Sequence, residues 1–359
     1  MSNLGRINLL VGTNNSGKTS ILEAIEILAS KGDIAILWQN LWRRGERIYV
    51  AVPAGGEPAR QRLHVEADVC HLFNGHEIHP GTGFSITAQN ESPVRTITCE
   101  ISEISPSERA EVSANQQGPS SSLGLALNLS GNPTPKVPRI VLGQFGGIPS
   151  ESLEPSRRGN RDTESAATYF VTTESLSGDQ LLALWNRISL KPEEDLVLQA
   201  LQFVDKDIER IAPIPNTVQP YYFGPGMKGG FMVKRKSAEQ PVPIGSMGDG
   251  VWRMLALSIA IILCKGGGTL LIDEIDTGLH YTVMSAMWKL IYNAARQFNV
   301  QVFATSHSQD CIWSLAQIAE HADDANPITV QRIEPARLRS IPFSGRELAL
   351  AAEREIEVR

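Results

Sequence analysis

Gly12-Thr13-Asn14-Asn15-Ser16-Gly17-Lys18-Thr19 is the stretch on which the reading of this chain turns. It matches G-x-x-x-x-G-K-[ST], the phosphate-binding loop pattern. Ile7, Leu9, Leu10 and Val11 ahead of it read as a short buried strand. Ser20 to Ala29 behind it reads as a helix with Ile21, Leu22, Ile25 and Leu28 on one face. Strand, glycine-rich turn and helix are the context the pattern requires. Gly12 and Gly17 let the backbone curl so that successive N–H groups point inward and make an anion nest. The positive end of the helix dipole faces the same point. Residues 12 to 20 therefore form the expected phosphate cradle, with Thr13, Asn14, Asn15, Ser16 and Ser20 beside the two glycines. Lys18 would reach the β and γ phosphates, and the Thr19 hydroxyl would ligate Mg²⁺.

The second half of the site lies far along the chain. Thr269-Leu270-Leu271-Ile272 is an unbroken apolar run, as a central parallel strand should be, and it ends in Asp273-Glu274. Asp273 would hold the Mg²⁺ shell and Glu274 would polarise the attacking water as general base. Asp276-Thr277-Gly278-Leu279-His280 follows at once. After a helix comes Val300 to Ala304, a further buried strand, running into Thr305-Ser306-His307-Ser308. A histidine at that strand end, His307, can reach a γ-phosphate. Ser246-Met247-Gly248-Asp249-Gly250 opens the helix Val251 to Leu263 and makes a second anion-directed helix start. With one phosphate loop per chain, that start suggests a site completing another copy's nucleotide.

The order is phosphate loop, long insertion, signature loop, Walker B with its glutamate, D-loop, His switch. It resembles the ABC-type ATPases that are not transporters, the SMC and RecF-like group. More narrowly it is similar to the AAA-type ATPase domains of the overcoming-lysogenization-defect (OLD) family and their stand-alone relatives. The resemblance covers residues 5–31 and 240–345. It implies an α/β fold: an ABC-type P-loop NTPase head with a mixed sheet, helices, an antiparallel β layer and an inserted arm or lid. It implies ATP and Mg²⁺ as ligands, and hydrolysis of ATP to ADP and phosphate. It also implies a homodimer or higher even oligomer in which Lys18 and Thr19 of one copy face Ser246 and Gly248 of the other. Asp276 would then sit at the subunit boundary, and His307 would sense the γ-phosphate.

The signature departs from L-S-G-G-Q, because Asp249 would repel a phosphate unless it points away. OLD nucleases continue into a TOPRIM metal-nuclease domain. Past His307 this chain shows two strand-like pieces and a helix from Gly345 to Glu357, with no D-x-D cluster. The expected role is therefore an ATP-dependent dimer switch controlling a separate effector, a TOPRIM or other nuclease, in DNA repair or anti-phage defence. An ATPase subunit of a membrane transporter and a small-molecule P-loop kinase are the alternatives. Similar proteins carry an extra strand upstream of Ile7, so the native start is expected further back.

Bulk properties narrow the rest. The chain has 359 residues, 42% of them hydrophobic, and a net charge of −6, so nucleic-acid contact would need a local patch rather than an overall basic field. Cys70, Cys99, Cys264 and Cys311 form no C-x-x-C pair and suit a reducing cytoplasm. The longest apolar run, Met254 to Cys264, is about half a membrane span, so no membrane partner is expected.

Residues 1–104 are expected to hold the first part of the head, with strand-like alternation at Arg47–Val52, Leu63–Leu72, Phe84–Ala88 and Val94–Ile104. His64, His71, His76 and His79 fall there and read as surface or turn histidines; His76-x-x-His79 lacks a nearby Cys or carboxylate in a recognised metal spacing. Residues 105–210 read as an inserted arm. It starts with Ser-, Pro- and Gly-rich loops carrying Arg157, Arg158 and Arg161, and ends in two helices over 178–210. Residues 211–345 complete the head, with Lys234-Arg235-Lys236 as a solvated hairpin tip, and 346–359 form a C-terminal helix.

Overall fold

A computed structural model describes residues 1–53, 61–89, 94–106, 120–130, 139–153, 167–214, 230–322 and 327–358. Arg157, Arg158 and Arg161 lie outside the described residues. The chain forms two compact units, one of Met1–Leu22 with Ser165–Arg359 and one of Glu23–Glu164.

The first unit is built on a six-stranded sheet. Its order is Ile341–Ser344, Ile328–Arg332, Ile7–Val11, Gln301–Thr305, Thr269–Ile272, Thr168–Val171. Every neighbouring pair is parallel except the edge pair of Ile328–Arg332 with Ile341–Ser344. Ile7–Val11 is buried along its whole length, as an apolar run covered on both faces must be. Its register sets Leu10 beside Thr305 and Val11 beside Arg332. The strand of Asp273 and Glu274 is not its direct neighbour, because Gln301–Thr305 runs between them.

Helix Asp249–Leu263 is buried from Val251 to Ile262, and that stretch is apolar apart from Arg253 and Ser258. Around it pack Trp185, Val197, Leu201, Met287, Trp288 and Ile291 in one core. The helices Gly178–Trp185 and Glu194–Val204, expected in an arm, thus belong to the core of the head, through Leu181, Trp185, Val197 and Leu201. The second helix also stops earlier than its apolar stripe suggests. Asp205 adopts an extended conformation and accepts from the Asp207 amide, and Ile208–Pro213 becomes a strand with Ile208 buried. The expected basic tip is spent locally. Arg235 pairs with Asp205 and Asp207, and Lys234 donates to the carbonyls of Ala238 and Glu239.

The second unit is the expected antiparallel layer, and it reaches beyond residue 104. One sheet joins Arg47–Pro53, Gln61–Asp68 and Gly147–Pro149; the other joins Gly83–Ala88, Arg95–Glu103, Ser120–Leu129 and Ile140–Gly143. Leu37, Leu41, Val69, Phe73, Ile97, Ile101, Leu125 and Ile148 form its core. His64 is buried there, 3.6 Å from Glu66, and is not a surface histidine.

Candidate functional site

The phosphate loop leaves Ile7–Val11 through backbone that only a few residues tolerate. Gly12, Asn15 and Gly17 have φ of 147°, 59° and 88°. A Cβ on Gly12 would stand 2.4 Å from the Ile333 carbonyl oxygen, so glycine is required there by contact as well as by conformation. Among the described residues the amides of 14–17 make no hydrogen bond within the chain. That set of unspent donors, ending at the first turn of Lys18–Ala29, fits a triphosphate. The Lys18 ammonium donates to the carbonyls of Gly12 at 2.9 Å and Thr13 at 2.8 Å, which holds it over the loop. Burial pulls its pKa below the ordinary value, opposed by the nearby Asp273 and Glu274 carboxylates. Thr13, Asn14 and Ser20 are exposed around the cradle, and Ser16 lies with its Oγ 3.5 Å from the Lys18 nitrogen.

Thr19 meets Walker B directly. Its hydroxyl is 3.2 Å from each Asp273 carboxylate oxygen. Two hard oxygen donors so close, beside a phosphate cradle, fit Mg²⁺. When bound, that ion would neutralise charge developing on the transferred phosphoryl group.

Glu274 sits two residues past the strand in left-handed backbone, φ 45°. Its Oε1 lies 3.4 Å from His307 Nε2, and its Oε2 accepts from the Thr277 hydroxyl at 3.3 Å. Its side chain and that of His307 are 41% and 37% exposed, so both remain open to a water. Lys18, Thr19, Asp273, Glu274 and His307 are thereby brought to one end of the parallel sheet, the carboxyl edge where open α/β sheets place ligands.

Thr305 and Arg253 were not picked out from the sequence. Thr305 ends the strand between the phosphate-loop strand and the Walker B strand and is fully buried. Its hydroxyl donates to Asp273 Oδ1 at 2.7 Å and accepts from the Glu274 amide at 2.8 Å. One oxygen thus orients both Walker B acids. Arg253, 2% exposed on the buried helix, donates to the carbonyls of Asp273 at 2.7 Å, Glu274 at 2.9 Å and Thr172. Burial lowers its pKa to about 10, which leaves it charged at neutral pH. The available signal was an arginine inside an otherwise apolar helix.

Ser246 lies on the turn Ile244–Met247, and Gly248 follows with φ 88° and ψ 167°, a glycine-only conformation. Among the described residues no hydrogen bond or ion pair joins Ser246 or Gly248 to residues 12–20 of the same chain. Asp249 packs against Gly278, where an added Cβ would be 3.1 Å from its own Cβ. Asp276 interacts electrostatically with Arg253, and its Oδ1 is enclosed without a hydrogen-bond partner among the described residues.

Residues 185–310 match the family described as "AAA domain, putative AbiEii toxin, Type IV TA system". The matched segment holds Walker B and His307 and begins after the phosphate loop. Over that segment the chain is similar to AAA-type ATPase domains. A protein of Helicobacter pylori (strain ATCC 700392 / 26695) named "ATP/GTP phosphatase" is 22% identical over 341 residues, covering 89% of this chain and 84% of that protein. Among solved structures, the SMC head domain from Thermotoga maritima aligns with TM-score 0.42 and 11% identity over 94% of this chain and 90% of that one. An Smc head domain with an extended coiled coil, bound to the C-terminal domain of ScpA and derived from Pyrococcus furiosus, aligns with TM-score 0.46 and 11% identity over 98% and 94%. No helix among the described residues is long and apolar enough to cross a membrane.

Proposed function

We propose that this ATPase is a nucleotide-dependent dimer switch: two copies close over shared ATP, and closure gates a separate effector. The carrying observation is the convergence of Lys18, Thr19, Asp273, Glu274 and His307 in one chain, joined by the contacts described above. In this reading Lys18 and the loop amides bind the phosphates, and Thr19 and Asp273 hold Mg²⁺. Glu274 takes a proton from the attacking water, and His307 reports the γ-phosphate to it. The name of the Helicobacter pylori protein, an ATP/GTP phosphatase, agrees with phosphate release to water.

One feature supports completion in trans: among the described residues the Ser246–Gly248 turn makes no bond to its own phosphate loop. The effector would be a nuclease, TOPRIM or other, acting in DNA repair or phage defence. The toxin–antitoxin association of the matched family agrees with a defence setting.

Glu274→Gln is the test. It should hydrolyse ATP at least ~100-fold more slowly while still binding it, as expected for loss of a general base. Light scattering should then show an ATP-trapped dimer. A Glu274→Gln protein that stays monomeric in saturating ATP and Mg²⁺ would refute the switch.

A further inference from the structure

We propose that Asp68, Cys70 and His71 of the second unit form a zinc site, with His76 as the partner that orients His71. The three side chains each bring one ligand atom, and these atoms lie within 4.8 Å of one another. Among the described residues no other group of His, Cys, Asp and Glu is so placed. His71 Nε2 is 4.0 Å from Asp68 Oδ2. In a tetrahedral zinc site neighbouring donors stand about 3.3 Å apart, so atoms up to 4.8 Å apart must close by up to about 1.5 Å, within reach of side-chain rotation.

The backbone builds this arrangement on a firm base. Strand Gln61–Asp68 ends at the cluster, and Asp68 Oδ1 accepts from the Cys70 amide at 3.0 Å, which leaves Oδ2 to face His71. Val69 and Phe73, on either side of the short turn Cys70–Leu72, are buried in the core of this unit. A second turn, Asn74–His76, then folds back through Gly75 at φ 83° and His76 at φ 57°. It brings His76 Nδ1 to 3.0 Å from His71 Nδ1.

That last contact distinguishes the cluster from a chance gathering of polar residues. Ligating histidines bind metal through one nitrogen while the other donates to a fixed acceptor. In the proposed site the His71 tautomer with a proton on Nδ1 donates to His76 Nδ1, and Nε2 is left toward Asp68. A thiolate, an imidazole and a carboxylate select a borderline ion such as Zn²⁺ over Mg²⁺. Binding exchanges the Cys70 thiol proton, released to solvent, for a sulfur–metal bond. Three protein donors leave one tetrahedral position for water or an external ligand. His79 is not part of the set, since its ring nitrogen pairs with the Thr82 hydroxyl.

The test is metal titration of the chelator-stripped full chain without nucleotide or Mg²⁺. One Zn²⁺ per chain should bind, and Co²⁺ in its place should give a thiolate charge-transfer band in the near ultraviolet. Cys99, Cys264 and Cys311 are buried, so the band reports Cys70. Cys70→Ser should abolish the band, and His76→Ala should weaken zinc affinity about 10- to 100-fold. His79→Ala should leave the affinity unchanged. Absence of a thiolate band in the parent chain, or a band of equal strength in Cys70→Ser, overturns the proposal. Both readings come from absorbance and do not depend on ATP turnover.

Discussion

Thr305 carries more of the site than its size suggests. Its hydroxyl spans from the Asp273 carboxylate to the Glu274 amide, so the proposed metal ligand and the proposed general base are held by one atom. The nearly isosteric Thr305→Val keeps the packing and removes that atom. The part-buried Glu274 amide would then lack its partner, at a cost of up to about 1–3 kcal/mol. Turnover should fall roughly 10- to 100-fold, since this is the loss of 1.4 to 2.7 kcal/mol of positioning at about 1.36 kcal/mol per decade. ATP affinity should change less than threefold. Steady-state assays beside a nucleotide-binding titration would separate the two, and an unchanged turnover would remove Thr305 from the positioning role. Arg253 acts on the same corner from the opposite side. It binds the carbonyls of both acids, and so helps hold Glu274 in left-handed backbone that costs a non-glycine residue energy.

At the scale of one element, helix Lys18–Ala29 begins at the phosphate loop and carries Glu23 and Glu26 on a buried face. Arg44 pairs with Glu23 at 3.1 Å and Arg43 with Glu26 at 3.0 Å. Burial nonetheless dominates at Glu23 and raises its pKa from the ordinary 4.5 to about 7, with Arg44 pulling the other way. A folded pKa above the unfolded one favours the fold fully below pH 4.5, and the benefit is lost as pH rises through about 7. The shift amounts to roughly 3 kcal/mol at about 1.36 kcal/mol per unit. Glu23→Gln cannot ionise, so its melting temperature should fall less than the parent's between pH 4.5 and 7. The gap should be at least ~2 °C by calorimetry. Parallel curves for the two proteins would show that Glu23 does not titrate in this window. The pattern of apolar residues predicted this helix well, but not that two glutamates on it would be buried, because their cover comes from Arg43 and Arg44.

At the scale of the molecule, closure in trans is a statement about two half-sites. Lys18→Ala removes the phosphate cradle of a copy and keeps its Ser246 turn. Ser246→Arg blocks the turn and keeps the cradle. Each variant alone should be inactive, while a mixture forms one sound composite site and should recover measurable ATPase activity. A mixture as inactive as its components, with mixed dimers present by native mass spectrometry, would refute shared sites.

The phosphate cradle and Walker B pair were legible in the sequence because each is contiguous: glycine conformation, helix start and strand end are set by neighbours along the chain. The antiparallel layer was legible for the same reason, through alternation of side chains. The placement of the helices at 178–185 and 194–204 was not, because an apolar stripe says that a face is covered and not by what. Strand order is likewise a long-range outcome of packing. By inserting Gln301–Thr305 between the two motif strands, the tertiary structure put Thr305 between the acids, and by burying Asp249–Leu263 it aimed Arg253 at their carbonyls. Residues act in such a site through distances that no spacing along the chain contains.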